Sequence, residues 1–423
     1  MAERPADIRL DDLASPRFAP DVREMMRAVA PMAAGIPWRL EAALEQAAKE
    51  SGLDDFGEDI YSESLGVFLR GAEREADLSP MGAVTVWGQV VQFLKNRLLI
   101  EEECKRRPEI ADEEIERPIV IAGLPRTGTT HLHNLISSDP DLHALPWWES
   151  LEPLPPLDEL GIDFDVDPRW QRAADGIVMR DRLMPHFKRM HDMWPDHAHE
   201  EIHLLAIAGS TMFFETLAPS SSWREYYRGT DQTPWYAYMR KVLQVIQSRR
   251  PGKGRWILKS PQHLEQFAPL KQIFPDATFV ITHRDPVAIT ASFATMAAYS
   301  ARLSQRVVEP ARVGGYWAQR IEDMLRACVE DRDLLPDRCS LDVRFHEFMA
   351  DDHATVAAIY ALAEQSLTGA TRAAMGAFME AHPRGKHGRI RYDLADFGID
   401  REERRRALGF YVDRFGVEME PAS

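Results

Sequence analysis

Apolar positions along the chain follow two patterns, and the change between them falls near residue 116. Before it, apolar residues recur at helical spacing. Leu65, Phe68 and Leu69 share one face of a segment from Ile60 to Glu75, and Val86, Val90, Phe93, Leu94, Leu98 and Leu99 mark a longer helix ending near Cys104. Ser79 followed by Pro80 predicts the start of that helix: a serine hydroxyl satisfies a free N–H of the first turn, and proline is tolerated at its first position. After residue 116 the apolar residues come in short runs: Ile119 to Ala122, Trp256 to Leu258, Thr278 to Thr282 and a more mixed Ser340 to Phe345. Unbroken runs of this length read as strands covered on both faces of a parallel sheet. Helical stretches separate them, among them Leu204 to Phe214, a crossover from Leu264 to Phe274, residues 296 to 335 and a terminal helix from Asp400 to Phe415. The pattern predicts an N-terminal helical region over 1–116 and an α/β domain over 117–423, with a central parallel sheet in three layers.

The first run leads into Gly123-Leu-Pro-Arg-Thr-Gly-Thr-Thr130, after which Leu132, Leu135 and Ile136 recur at helical spacing. Strand, glycine-bounded turn and helix are the parts of a phosphate-binding loop, whose backbone N–H groups and helix N-terminus hold an anion. Against the ATPase pattern G-x-x-x-x-G-K-[ST], Gly123, Gly128 and Thr130 fit, but Thr129 stands where the lysine would be, and the loop's cation is Arg126. With no lysine to reach a γ-phosphate, the loop suits a phosphate ligand without a triphosphate tail. A tight turn with no ligand is the alternative.

Leu124-Pro-Arg-Thr-Gly-Thr-Thr130 resembles the 5′-phosphosulfate loop of sulfotransferases that use 3′-phosphoadenosine 5′-phosphosulfate (PAPS). A second stretch strengthens the resemblance. Trp256-Ile-Leu-Lys-Ser-Pro-Gln-His263 and Ala277 to Ser292 are similar to that family's 3′-phosphate segment, with Arg284 at a strand end and Ser292 at 292 − 284 = 8 residues beyond. The resemblance spans roughly 117 to 415 and implies a P-loop-like fold that moves a sulfuryl group from PAPS to a hydroxyl or an amine, releasing adenosine 3′,5′-bisphosphate. It implies that Thr127, Gly128, Thr129 and Thr130 cradle the 5′-phosphate, that Arg126 and Lys259 stabilise the transferring group, and that Arg284 and Ser292 hold the 3′-phosphate. A cation at the end of a strand offsets charge on a leaving phosphate, and a guanidinium fork suits a phosphate dianion. The family's late basic loop corresponds to His382 to Arg389, making Arg384, Lys386 and Arg389 candidates for closing over the ligand. No metal is required on this reading, because fixed cations supply the charge.

The general base is the open position. Glu149 is the best positional match beyond the loop helix, and Trp147 and Trp148 beside it could raise its pKa by desolvation. Glu200, His197 and His263 are rivals. Four histidines crowd the stretch His191 to His203, and His199-Glu-Glu-Ile-His203 is a literal H-E-x-x-H; a zinc hydrolase is therefore weighed, though no downstream motif places a third ligand.

A formal charge of −16 argues against general nucleic-acid binding, which needs a basic face. Cys104, Cys328 and Cys339 give neither a disulfide framework nor zinc spacing. The charged N-terminus lacks the apolar core of a signal peptide, and no apolar run approaches a membrane span, so a cytoplasmic enzyme without an integral membrane segment is expected. The acceptor is then a small molecule or lipid, and the N-terminal helices leave room for a homodimer. Two rivals remain: a nucleotide or small-molecule kinase, disfavoured by the missing loop lysine, and a non-catalytic nucleotide-binding protein, disfavoured by Lys259, Arg284 and Ser292 occurring together.

Overall fold

The computed structural model describes residues 5–250, 252, 254–383 and 385–421. Among these, five strands form one sheet: β1 (Ile119–Gly123), β2 (Leu142–His143), β3 (Arg255–Ser260), β4 (Thr278–His283) and β5 (Ser340–Arg344). They lie in the order β2-β3-β1-β4-β5, and every pairing is parallel. All residues of β1, β3 and β4 are buried, which is why these strands read as near-continuous apolar runs. β5, at the edge, is only partly buried, which matches its mixed sequence.

Alternate side chains of each strand point to opposite faces. Ile119 and Ile121 of β1, Ile257 and Val280 pack with Leu132 and Leu135 of the helix Thr129–Ser137 and with Ile359 of the helix Asp352–Ala363. Val120, Ala122, Leu258 and Phe279 face the larger cluster on the other side, which also contains Leu94 and Leu98 of the helix Pro80–Arg106. The N-terminal helices therefore share a core with the sheet. That long helix begins where the sequence predicts: the Ser79 hydroxyl accepts from the Gly82 N–H at 3.0 Å. The first described residues reach the far end of the chain, where Ile8 bridges Ile390.

Several predicted helices are divided. The crossover is a 3₁₀ turn, Pro261–Glu265, followed by the helix Phe267–Ile273, and the terminal stretch is two helices, Arg401–Ala407 and Gly409–Phe415. The region 296–335 splits into Pro286–Ser304 and Pro310–Asp331, since a proline cannot continue a helix without losing a hydrogen bond. The apolar stretch from Leu204 breaks at Gly209, where φ is 112° and a Cβ would lie 2.7 Å from the Tyr61 Cβ. Among the described residues no helix is long and apolar enough to cross a membrane.

Candidate active site

β1 is central, and its register fixes what meets at the carboxyl edge: Ile121 lies opposite Lys259, and Gly123 opposite Thr282. A Cβ on Gly123 would fall 1.9 Å from the Thr282 Oγ1, so only glycine lets β4 come this close. Thr127 is 1% exposed, with its hydroxyl 2.7 Å from both the Leu124 carbonyl and Thr282 Oγ1. Its side chain sets the shape of the loop and does not face outward. Arg126 and Gly128 both take left-handed backbone, at φ 76° and 85°. The helix Thr129–Ser137 starts at Gly128 without a side-chain cap, which leaves its first-turn donors available to an anion.

The structure brings Arg126, Ser292 and Arg284 together. Arg126 donates to Ser292 Oγ at 3.0 Å, to the Tyr392 hydroxyl at 3.3 Å and to the Met190 carbonyl. Arg284, at the exit of β4, stacks over Phe345 at 4.1 Å and donates to the Arg126 carbonyl at 2.6 Å. The other side of its fork grips the Glu420 carboxylate through Nε and Nη2, the latter at 2.8 Å. Glu420 is itself anchored, its N–H donating to Asp285 and its carbonyl accepting from Arg401, each at 2.9 Å. Nothing in the local sequence marked Glu420, because it is 136 residues from its partner.

Lys259 is 2% exposed, and its ammonium meets the Glu200 carboxylate. Its backbone N–H donates to both oxygens of Glu201, at 2.9 and 3.1 Å. Glu201 is wholly buried and lies 3.2 Å from His263 Nε2, while His263 Nδ1 meets the Tyr236 hydroxyl at 2.8 Å. Burial pushes Glu201 well above the carboxylate range and His263 down to about 3. His263 thus belongs to a buried brace behind Lys259. The adjacent pair Glu200-Glu201 was the available signal, since neighbours outside a helix point in different directions.

A cavity of about 590 Å³ opens beside the loop. Arg126, Thr129, Thr130, His199 and Glu200 line its inner end, with Trp147 beside them. Glu149 does not line it. The helix Trp147–Leu151 has five residues, and each step turns about 100°, so when Trp147 faces the cavity Glu149 faces away. Glu149 is buried against Arg250, which also donates to the Ala144 carbonyl at 3.2 Å. Burial raises its pKa, with Arg250 and Arg169 pulling the other way. His197 also has a bracing contact, its Nε2 accepting from Asn134 at 2.8 Å. Lys386 lies outside the cavity lining and pairs with Asp192 at 2.7 Å, and the Arg389 N–H donates to Asp7 at 3.0 Å. Arg384 lies outside the described residues. The His199 and His203 rings stack at 4.8 Å, and His203 Nδ1 meets the Ser150 hydroxyl at 3.0 Å. Among the described residues no group of three His, Cys, Asp or Glu could hold a metal ion.

Burial keeps a set of histidines neutral in the fold. His133, His191, His203 and His263 are lowered to about 3, and His197 and His199 well below the usual value of 6.5. In the unfolded chain they titrate near 6.5, so below that pH the unfolded state binds more protons. The stability from each is complete above 6.5 and drains as pH falls toward 3, at about 1.4 kcal/mol per pH unit per histidine. Glu201 and Glu149, raised by burial, work in the opposite sense, but the histidines outnumber them. The melting temperature should therefore fall steeply between pH 7 and pH 5. A flat profile over that range would show that these rings protonate freely in the fold.

The described geometry defines a P-loop-like α/β fold of the sulfotransferase type. Its likeness to two crystal structures is extensive. Sulfotransferase STF1 from Mycobacterium tuberculosis H37Rv superposes with a TM-score of 0.76 at 30% identity, over 87% of this chain and 97% of that one. Sulfotransferase STF9 from Mycobacterium avium gives 0.80 at 25% identity, over 90% and 98%. Residues 118–368 match the model of the Sulfotransferase family, and the chain belongs to that family. A comparison with curated proteins finds no match.

Proposed function

We propose that the protein transfers the sulfuryl group of PAPS to a hydroxyl acceptor. The observation that carries this reading is the convergence, at the carboxyl ends of three adjacent strands, of an uncapped loop helix, Lys259 and Arg284 with Ser292. The Arg284 fork supports the donor assignment: it already grips one oxyanion, the Glu420 carboxylate, in the bidentate manner that a phosphate would use. PAPS would supply the sulfuryl group and a phosphate leaving group. On this reading Thr129 and Thr130 with the loop amides receive the 5′-phosphate, Thr127 holds the loop in shape, and Arg284 and Ser292 receive the 3′-phosphate. Lys259 neutralises charge on the bridging oxygen as its bond to sulfur breaks. Glu200, which lies at the cavity and touches Lys259, takes the acceptor proton. The role considered for Glu149 passes to it.

Calorimetry tests the donor half directly. Adenosine 3′,5′-bisphosphate should bind more tightly than AMP, because one charge-assisted phosphate contact contributes roughly 1.5–3 kcal/mol, or about 10- to 150-fold. Arg284→Ala should remove most of that preference. Equal affinities in the unsubstituted protein would exclude Arg284 and Ser292 as a 3′-phosphate site.

A further inference from the structure

Beyond its inner end the cavity has a mainly apolar body, walled by Met184, Met212, Met296, Phe213, Phe293 and Trp317. Against these walls a polyol would give up hydrogen bonds to water for few replacements, whereas a hydrocarbon gains by leaving water. Methionine side chains are unbranched and adaptable, so a wall rich in them follows a flexible chain better than it fixes a rigid ring system. The outer end lies among Glu75, Ser221 and Arg312, all exposed, so the body leads from the reactive end to solvent.

One side chain of the polar inner lining holds a nitrogen without a partner. His199 is 6% exposed and its Nε2 meets no hydrogen-bond partner among the described residues. The ring cannot easily turn away: Trp147 packs edge-on at 4.5 Å, His203 stacks at 4.8 Å, and the His199 N–H is tied to the Leu145 carbonyl at 2.7 Å. A buried nitrogen left without a partner is costly unless a ligand supplies one.

From the cavity and this nitrogen we infer that the acceptor is a linear lipid alcohol. Its single hydroxyl sits between Glu200 and His199 Nε2, and its hydrocarbon chain runs along the methionine-lined body toward Arg312. This rests on the sulfotransferase reading above. In the transfer, the hydroxyl proton passes to Glu200 and the hydroxyl oxygen bonds to sulfur. The bond from sulfur to the bridging oxygen breaks, and its electron pair leaves with adenosine 3′,5′-bisphosphate.

The test is a series of n-alkanols from butanol to dodecanol. Binding is read from tryptophan emission, since Trp147 and Trp317 line the cavity, and kcat/KM is read in parallel with labelled PAPS. Both should climb about four-fold per added methylene, then level off once the chain reaches the mouth. His199→Phe should lower the whole series by a common factor and leave the chain-length slope intact. A series flat in chain length, or glucose binding more tightly than octanol, would overturn the inference. The two readings fail separately: binding that grows with chain length but yields no sulfuryl transfer overturns the sulfotransferase reading and supports the apolar seat. Transfer to sugars with a flat alkanol series does the reverse.

Discussion

Glu200→Gln should lower turnover by 10²- to 10⁴-fold, the usual contribution of a general base. The substitution keeps the shape of the side chain but removes its capacity to accept a proton. Adenosine 3′,5′-bisphosphate should bind almost as before, because the loop, Arg284 and Ser292 lie on other elements. Glu149→Gln is the paired control. Its carboxylate is buried against Arg250 and away from the cavity, so its loss should reduce stability, by leaving Arg250 unpaired, and spare kcat. Rates measured under single-turnover conditions with any accepted alcohol decide between them. Near-normal turnover in Glu200→Gln together with a collapse in Glu149→Gln would reverse the assignment.

Lys259→Met should cost 10²- to 10³-fold in kcat, comparable to removing one preorganised charge-stabilising donor from an active site. Methionine retains most of the apolar stem that packs at this position, which is 2% exposed, so the fold should hold. The backbone clamp to Glu201 does not depend on the side chain and should persist. Because the missing cation acts on charge that develops during transfer, kcat should fall much more than affinity for the nucleotide product. An unchanged kcat with weakened nucleotide binding would make Lys259 a ground-state contact only.

The sheet was legible in the sequence because burial on both faces forbids polar alternation, and β1, β3 and β4 therefore stand out as apolar runs. Ser79 was legible for a local reason as well, since a cap acts within one turn. What escaped was orientation. Glu149 sits on a five-residue helix, too short for a periodic pattern to say which side faces the cavity. Thr127 reads as a loop hydroxyl, yet it turns inward because of Thr282, a partner 155 residues away. His199 stood out only as half of a zinc-like pair, and its place in the cavity depends on a segment folding back against Leu145.

The groups proposed for the donor sit on the edge of the sheet: the loop after β1, Lys259 in β3 and Arg284 after β4. The cavity walls have another origin. Met184, Phe187, Met193, Met212 and Phe213 belong to the long excursion between β2 and β3, while Phe293, Met296 and Trp317 follow β4. Donor chemistry and acceptor choice thus have largely separate addresses in the gene. Substitutions accumulating in the excursion can retune what enters without rewriting the nucleotide end, which makes it the natural region to randomise in directed evolution. The two addresses adjoin where Arg126 meets Met190, where Lys259 meets Glu200, and where Ser292 meets Arg126 while the next residue, Phe293, lines the cavity. At those seams a change selected for a new acceptor would be felt at once by the donor side.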